Sequence, residues 1–345
     1  MREFWDKDGL YSTLRRYVDF TTRRSYRRIT VEGELPPDTD GIATIYAPNH
    51  TNTLMDALVV LQLRRGGTLF GARADVFRKP AIARIMHFLK MVPLARHSRD
   101  TAEEVAHNRV SFEEIDRALA HGLPFCLFPE GRHRPMHSLL PMRRGIATIA
   151  FRSASERPTR IVPIGIDYSD WFHYRGDVQV RIGEPLDVNA LAATLPEGIQ
   201  DSERDSKLQD EMYSRLSKLI FFLPDDEHYE ENLAEIRASH PAPARWPRIL
   251  LAIVSFPFWL VAAVLSAPLW VLAEILCRRM VKDPAFQNTA RFGVRLILWP
   301  IWLLIWAILG FCLLPWWAAL ILVLAYLPSY SIFYDWLNLT RLGKV

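Results

Sequence analysis

His50 and Asp56 are the residue types, and this is the spacing, from which a reaction could be built. They stand in Ala47-Pro48-Asn49-His50-Thr51-Asn52-Thr53-Leu54-Met55-Asp56. The apolar run Ile42–Tyr46 leads into this stretch, and Leu58-Val59-Val60-Leu61 follows it. The pattern predicts a strand, a polar turn carrying His50, and a helix with Asp56 about one turn in. Histidine exchanges protons near neutral pH. A carboxylate within reach fixes its tautomer and steadies the imidazolium. Two other readings use the same residues: a helix-capping histidine beside a surface aspartate, and a pair of metal ligands.

The elements that must position the pair follow from hydropathy period and turn residues. Strands are expected at Ile29–Gly33, Ile42–Tyr46, Thr68–Arg73, Phe125–Phe128, Arg160–Ile166 and Val178–Ile182, and the stretch from Met91 that leads up to Arg96 holds a further strand candidate. Helices are expected at Ala57–Leu63, Ala81–Leu89 behind Pro80, Thr101 to Gly122, and Gly145–Ser153. Thr101 and Glu104 make a capping box for the longest of them. Strands alternating with helices predict an α/β fold, a mostly parallel central sheet flanked by helices. Ligands collect at the carboxyl ends of such strands. His50, Arg96 and Glu130 all fall just after strand candidates, so one crevice is expected to hold them. Four segments are expected: an amphipathic, interfacial helix over 1–30, the α/β domain over 31–200, a charged helical extension and linker over 201–245, and a hydrophobic membrane-associated region over 246–345.

The 345 residues are half apolar, with mean hydropathy near zero and a formal net charge of +4. That excess is too small to argue for nucleic acid, and no basic-plus-aromatic motif appears. Cys126, Cys277 and Cys312 are scattered in apolar contexts without disulfide or metal spacing. They are expected to be reduced and buried, with the main domain cytoplasmic. The N-terminus lacks an apolar core of signal-peptide length. Arginines and aromatics interleaved over residues 1–30 suit either an anionic headgroup layer or a helix packed on the domain.

Apolar residues concentrate after Trp246. Ile249–Ala273 is 25 residues without charge and Leu296–Tyr334 is 39. One span takes ~20 apolar residues, so the second run holds two, turning at Leu314-Pro315. The intervening loop carries Arg278, Arg279, Lys282, Arg291 and Arg295 against Asp283, and Arg341 and Lys344 end the chain. Positive segments favour the cytoplasmic side. A first run that dips in and returns, broken at Pro257 or Pro268, keeps them all there.

Four segments occur in order: Asn49-His50…Asp56, Val92-Pro93-Leu94-Ala95-Arg96, Phe128-Pro129-Glu130-Gly131 and Val162-Pro163-Ile164. Together they resemble the four blocks of the phospholipid/glycerol acyltransferase family, over about Val31 to Tyr168. The resemblance implies a membrane-bound enzyme that moves a fatty acyl group from an acyl-CoA or acyl carrier protein thioester to 1-acylglycerol-3-phosphate. Glycerol-3-phosphate is the alternative acceptor. It implies His50 as general base, Asp56 as its orienting carboxylate, and no cofactor or metal. Arg96, Glu130, Gly131 and Pro163 are implied at the acceptor site, with Glu130 pairing an arginine or a glycerol hydroxyl. The sequence departs from the family twice. Five residues, not four, separate His50 from Asp56, turning the carboxylate by about 100° on a helix unless Thr51-Asn52-Thr53 forms a looser entry. Phe-Pro-Glu-Gly is followed by Arg132-His133-Arg134, so Arg132 or Arg134 replaces the arginine usual one position between them. Arg73, Arg143 and Arg144 are further candidates for phosphate or headgroups. The remaining histidines, His133 among them, read as surface or core residues. Outside this class stand a metal-dependent hydrolase and an inactive membrane adaptor.

Overall fold

Alternation of apolar residues along the strands builds a sheet with two buried faces. The computed structural model describes residues 3–39, 41–95, 102–239 and 245–340. Its strands are β1 (Arg28–Glu32), β2 (Ala43–Pro48), β3 (Leu69–Arg73), β4 (Met91–Leu94), β5 (Phe125–Cys126), β6 (Thr159–Tyr168), β7 (Asp177–Ile182) and β8 (Leu186–Asp187). They lie in the order β1-β7-β6-β2-β5-β3-β4, with β8 beside β6. Only β6 pairs antiparallel, to β7 and β8; all other pairs are parallel. The helices are α1 (Gly9–Ser25), α2 (Leu54–Gln62), α3 (Pro80–Phe88), α4 (Ala102–Ala120), α5 (Arg144–Ala154), α6 (Val188–Ala193), α7 (Asp201–Ser217), α8 (Tyr229–Ser239), α9 (Arg245–Leu265), α10 (Ala267–Arg279), α11 (Gln287–Leu313) and α12 (Trp316–Thr340). The expected fold class, a mostly parallel sheet flanked by helices with a helical apolar region after it, is the one observed.

Neighbouring residues of one strand serve opposite layers. Ile45 and Ile161 join Ile115, Ile146, Ile149, Leu208 and Met212 of α4, α5 and α7. Tyr46 and Val162 join Met55 and Val59 of α2, and Phe292, Trp299, Tyr326 and Tyr330 of the C-terminal helices. The apolar C-terminal region therefore shares a core with the sheet. Two expectations change. β5 has two residues rather than four, because beyond Cys126 the chain turns into the Phe128–Gly131 loop. Cys312 is exposed on α11, while Cys126 and Cys277 are buried; burial pushes the Cys126 thiol well up. The expected Thr101 cap, and most of the linker before Trp246, lie outside the described residues.

Helix α1 packs as a strut. Buried Arg15 donates to the carbonyls of Leu61, in the last turn of α2, and Arg64 (3.0 Å), just past it, and pairs with Asp19 at 2.8 Å. A cation there satisfies the free carbonyls and negative end of α2. On its other side, the Tyr17 hydroxyl donates to the Leu296 carbonyl at 2.8 Å.

The path of the C-terminal helices follows from their pairings. Arg248 and Ala252 of α9 meet Asn338 and Trp336 of α12, so these two run antiparallel. Glu274 and Cys277 of α10 meet Arg291 and Gln287 of α11, also antiparallel. α11 and α12 form a hairpin, with the Tyr326 hydroxyl on the Trp299 carbonyl. Hence α9 leaves the α/β domain and α10 returns to it, the chain reversing around Ser266-Ala267-Pro268. Ten of the 13 α10 residues precede Cys277, and a 13-residue helix reaches about 20 Å against about 40 Å for the 27 residues of α11. The reversal lies beside α11 where the Trp306 indole donates to the Leu265 carbonyl at 3.0 Å, seven residues before that helix ends. Three helical stretches, Trp246–Leu265, Pro284–Leu313 and Trp316–Thr340, are long and apolar enough to cross a membrane.

Candidate active site

The site forms where β6, β2 and β5 end side by side. Asn49 closes β2 like an extra strand residue. Its amide donates to the Ile166 carbonyl at 3.0 Å and accepts from the Ile166 N–H at 2.7 Å. That locks the following turn to the sheet. His50 projects from it with its side chain 17% exposed, stacked on Phe128 at 4.1 Å between ring centres.

His50 Nδ1 lies 2.8 Å from Asp56 Oδ2. Asp56 is fully buried in the first turn of α2, and four donors satisfy it. Besides the imidazole, Oδ2 accepts from the N–H groups of Thr51 (2.8 Å) and Asn52 (2.7 Å). Oδ1 accepts from the Tyr168 hydroxyl at 2.7 Å. With Nδ1 engaged by the carboxylate, Nε2 is the nitrogen left to take a proton. Burial, and next the Asp56 charge, hold the Tyr168 phenol well above its ordinary range, so it stays a donor.

The extra residue between His50 and Asp56 is absorbed at Thr53. Its backbone takes φ 49° and ψ −127°, a region that L-residues with branched side chains avoid. Strain of this kind costs ~1–3 kcal/mol. The reversal starts α2 at Leu54 and returns the carboxylate to the imidazole. The looser entry turn is thus a single strained residue.

Glu130 performs a different task from the expected one. It meets neither an arginine nor open solvent, being 1% exposed. Oε1 accepts the His50 N–H at 2.7 Å and Oε2 the Leu140 N–H at 2.8 Å. Its carboxylate ties the His50 turn to the loop after β5, and the Arg134 N–H donates back to the His50 carbonyl at 3.0 Å. Burial pushes the Glu130 carboxyl up to about 7, against the pull of the two N–H donors. Gly131 follows at φ 69°, where a Cβ would also stand 3.0 Å from the Arg143 side chain.

The arginines separate. Arg132 and Arg143 are exposed beside this loop. Arg134 is engaged by Asp225 and by Ser138 at 2.6 Å. Arg144 pairs with Asp205 at 2.9 Å, and exposed Arg73 with Asp75. Arg96 lies outside the described residues. Pro163 is buried in β6 on the side of Gly183, whose N–H it accepts at 2.9 Å. Strand alternation puts it on the face opposite Tyr168 and Asp56, so it does not join the crevice.

Two groups at the site escape sequence reasoning. Tyr168 ends β6 in phase with Val162, Ile164 and Ile166, so alternation alone assigns its face. His133 stands 5.7 Å from His50 between ring centres, and its Nε2 lies 3.1 Å from Asp283 in the corner between α10 and α11. Phe286 packs edge-on to His133 at 5.2 Å. No local pattern in the sequence announces a contact spanning 150 residues. Among the described residues, no group of three or more His, Cys, Asp or Glu is arranged to hold a metal ion.

The acyltransferase family model matches residues 28–167. An uncharacterized acyltransferase of Schizosaccharomyces pombe is 26% identical over 119 residues, 34% of this chain and 18% of that protein. Glycerol-3-phosphate O-acyltransferase 2 of Saccharomyces cerevisiae is 29% identical over 126 residues, 35% of this chain and 17% of that protein. The chain thus matches less than a fifth of the length of these two relatives. Among solved structures, the 1-acyl-sn-glycerophosphate acyltransferase PlsC of Thermotoga maritima aligns with a TM-score of 0.41 and 19% identity, covering 59% of this chain and 79% of that one. The segment that matches the acyltransferase family, residues 28–167, is thus the one that carries His50, Asp56 and Glu130.

Proposed function

We propose that the protein is a membrane-bound O-acyltransferase. It transfers a fatty acyl group from an acyl-CoA or acyl carrier protein thioester to the free hydroxyl of 1-acylglycerol-3-phosphate. The observation that carries this reading is the His50–Asp56 pair at 2.8 Å, inside the segment matched by the family. In the reaction, His50 Nε2 takes the proton of the acceptor hydroxyl as its oxygen attacks the thioester carbonyl. The C–O bond forms, the C–S bond breaks, and the imidazolium returns the proton to the leaving thiolate. Asp56 steadies the imidazolium between the two transfers. The donor is already activated, so this sequence needs no covalent enzyme intermediate.

A lipid acceptor suits a site whose floor is continuous with apolar helices. The acceptor phosphate calls for cations, and exposed Arg132 and Arg143 beside Gly131 supply them on this face. Arg96, at the end of the block that opens with β4, is assigned to the same acceptor by resemblance. Glycerol-3-phosphate is the second reading, favoured by the names of the yeast relatives. The α/β domain lies on the cytoplasmic face, since the α10–α11 corner with its basic residues is on the domain side.

A cell-free assay offering both acceptors with both donor types tests the assignment. Transfer to 1-acylglycerol-3-phosphate is expected, and His50→Ala should lower it by about 10²–10⁴-fold. Unchanged transfer in that variant would sink the general-base role, and activity abolished by a chelator would favour the hydrolase reading.

A further inference from the structure

Thr53, Lys90 and Arg175 are the non-glycine residues with positive φ among those described, and only Thr53 lies in the catalytic turn. Its strained backbone decides where Asp56 points. Something must hold it, because a β-branched residue left to itself relaxes to negative φ. The only side-chain hydrogen bonds found for Thr53 come from the C-terminal region. Its hydroxyl lies 2.8 Å from the Thr289 hydroxyl, in the first turn of α11, and donates to the Ala285 carbonyl at 3.4 Å. Thr53 is buried, so water does not replace these partners. Thr289 is itself fixed by its neighbours. The Asn288 amide donates to the Trp171 carbonyl at 2.7 Å, and the Arg291 guanidinium to the Phe172 carbonyl at 2.8 Å. Asp283 reaches His133 at 3.1 Å, from the other side of the same corner.

We propose that Thr289 is a positioning residue for the His50–Asp56 pair, so that the apolar C-terminal region takes part in the reaction as well as anchoring the protein. The corner between α10 and α11 clamps Thr53 in its strained turn, and the turn delivers Asp56 to His50. The longer spacing between His50 and Asp56 is what makes the clamp necessary. This inference rests on the acyl-transfer reading of the site.

The test uses the full chain in lipid vesicles and the acyl-transfer assay. Thr289→Val is expected to lower kcat about tenfold, as small displacements of a catalytic group do, with KM for both substrates changed less than about twofold. Thr289→Ser keeps the hydroxyl and should restore kcat. At the other end, Thr53→Val keeps the strain and loses the clamp, whereas Thr53→Gly takes the same φ without help. Thr53→Gly should therefore be faster than Thr53→Val. Wild-type kcat in Thr289→Val, or Thr53→Gly no faster than Thr53→Val, overturns the proposal. A lowered melting temperature with kcat per folded enzyme intact also overturns it, leaving Thr289 an anchor only. If Thr289→Val does not fold, the two Thr53 variants decide alone. Failure of the underlying reading looks different: His50→Ala then retains transfer, whatever happens at Thr289.

Discussion

A buried carboxylate with four donors is a stiff object, and in the proposed reaction that stiffness is the use of Asp56. Removing any donor loosens the orientation of the imidazole. Tyr168→Phe deletes one and keeps the ring in its core. A hydrogen bond to a charged group contributes ~1.5–3 kcal/mol, so kcat should fall by about tenfold or more while KM holds, as steady-state kinetics would show. Glu130 carries a pH signature instead. Burial raises its carboxyl from 4.5 to about 7 on folding. A raised acid contributes stability that is complete below its unfolded value and lost as pH climbs through the folded one. The melting temperature of the wild type relative to Glu130→Gln should therefore decline between about pH 4.5 and 7. A flat difference across that window would show that Glu130 stays ionised. The meeting of His50, Asp56 and the Phe128–Gly131 loop was legible in the sequence because each follows a strand candidate, and strand ends gather at one edge of a parallel sheet. The partners of Glu130 were not, since backbone N–H groups leave no mark in a sequence.

The elements were legible where one period dominates. β2, β6 and α5 follow their hydropathy patterns to within a few residues. Pro163 shows where that reading ends: its block sits on a strand beside the site, but which face it serves depends on register. The role of α1 was equally hidden, since arginines suited to headgroups and arginines suited to carbonyls are the same residues. Arg15 resolves it by capping the end of α2, the helix that carries Asp56. Arg15→Met leaves the Leu61 and Arg64 carbonyls without their donor. It should lower stability by ~1.5–3 kcal/mol and be visible as a reduced melting temperature in detergent. An unchanged melting temperature would show that these bonds add nothing to stability.

At the scale of the whole molecule, the apolar C-terminal region folds as two helical hairpins, α9–α10 and α11–α12. Long uncharged runs made both legible; the reversal at Ser266–Pro268 was legible only through the placement of arginines. The expected topology is tested with Cys126, Cys277 and Cys312 replaced by alanine. A cysteine at Lys282 should react with an impermeant reagent only from the side of the α/β domain, and one at Leu314 only from the other. Lys282→Cys labelled from the far side would make α9 a full span. The short α10 has a mechanical consequence under the proposed topology, in which α9 and α10 turn back inside the bilayer. The protein would then displace more area in the leaflet beneath its α/β domain than in the opposite one. Such a cone sits with least lateral stress where that leaflet is convex, so membrane curvature would become a variable on which its distribution depends.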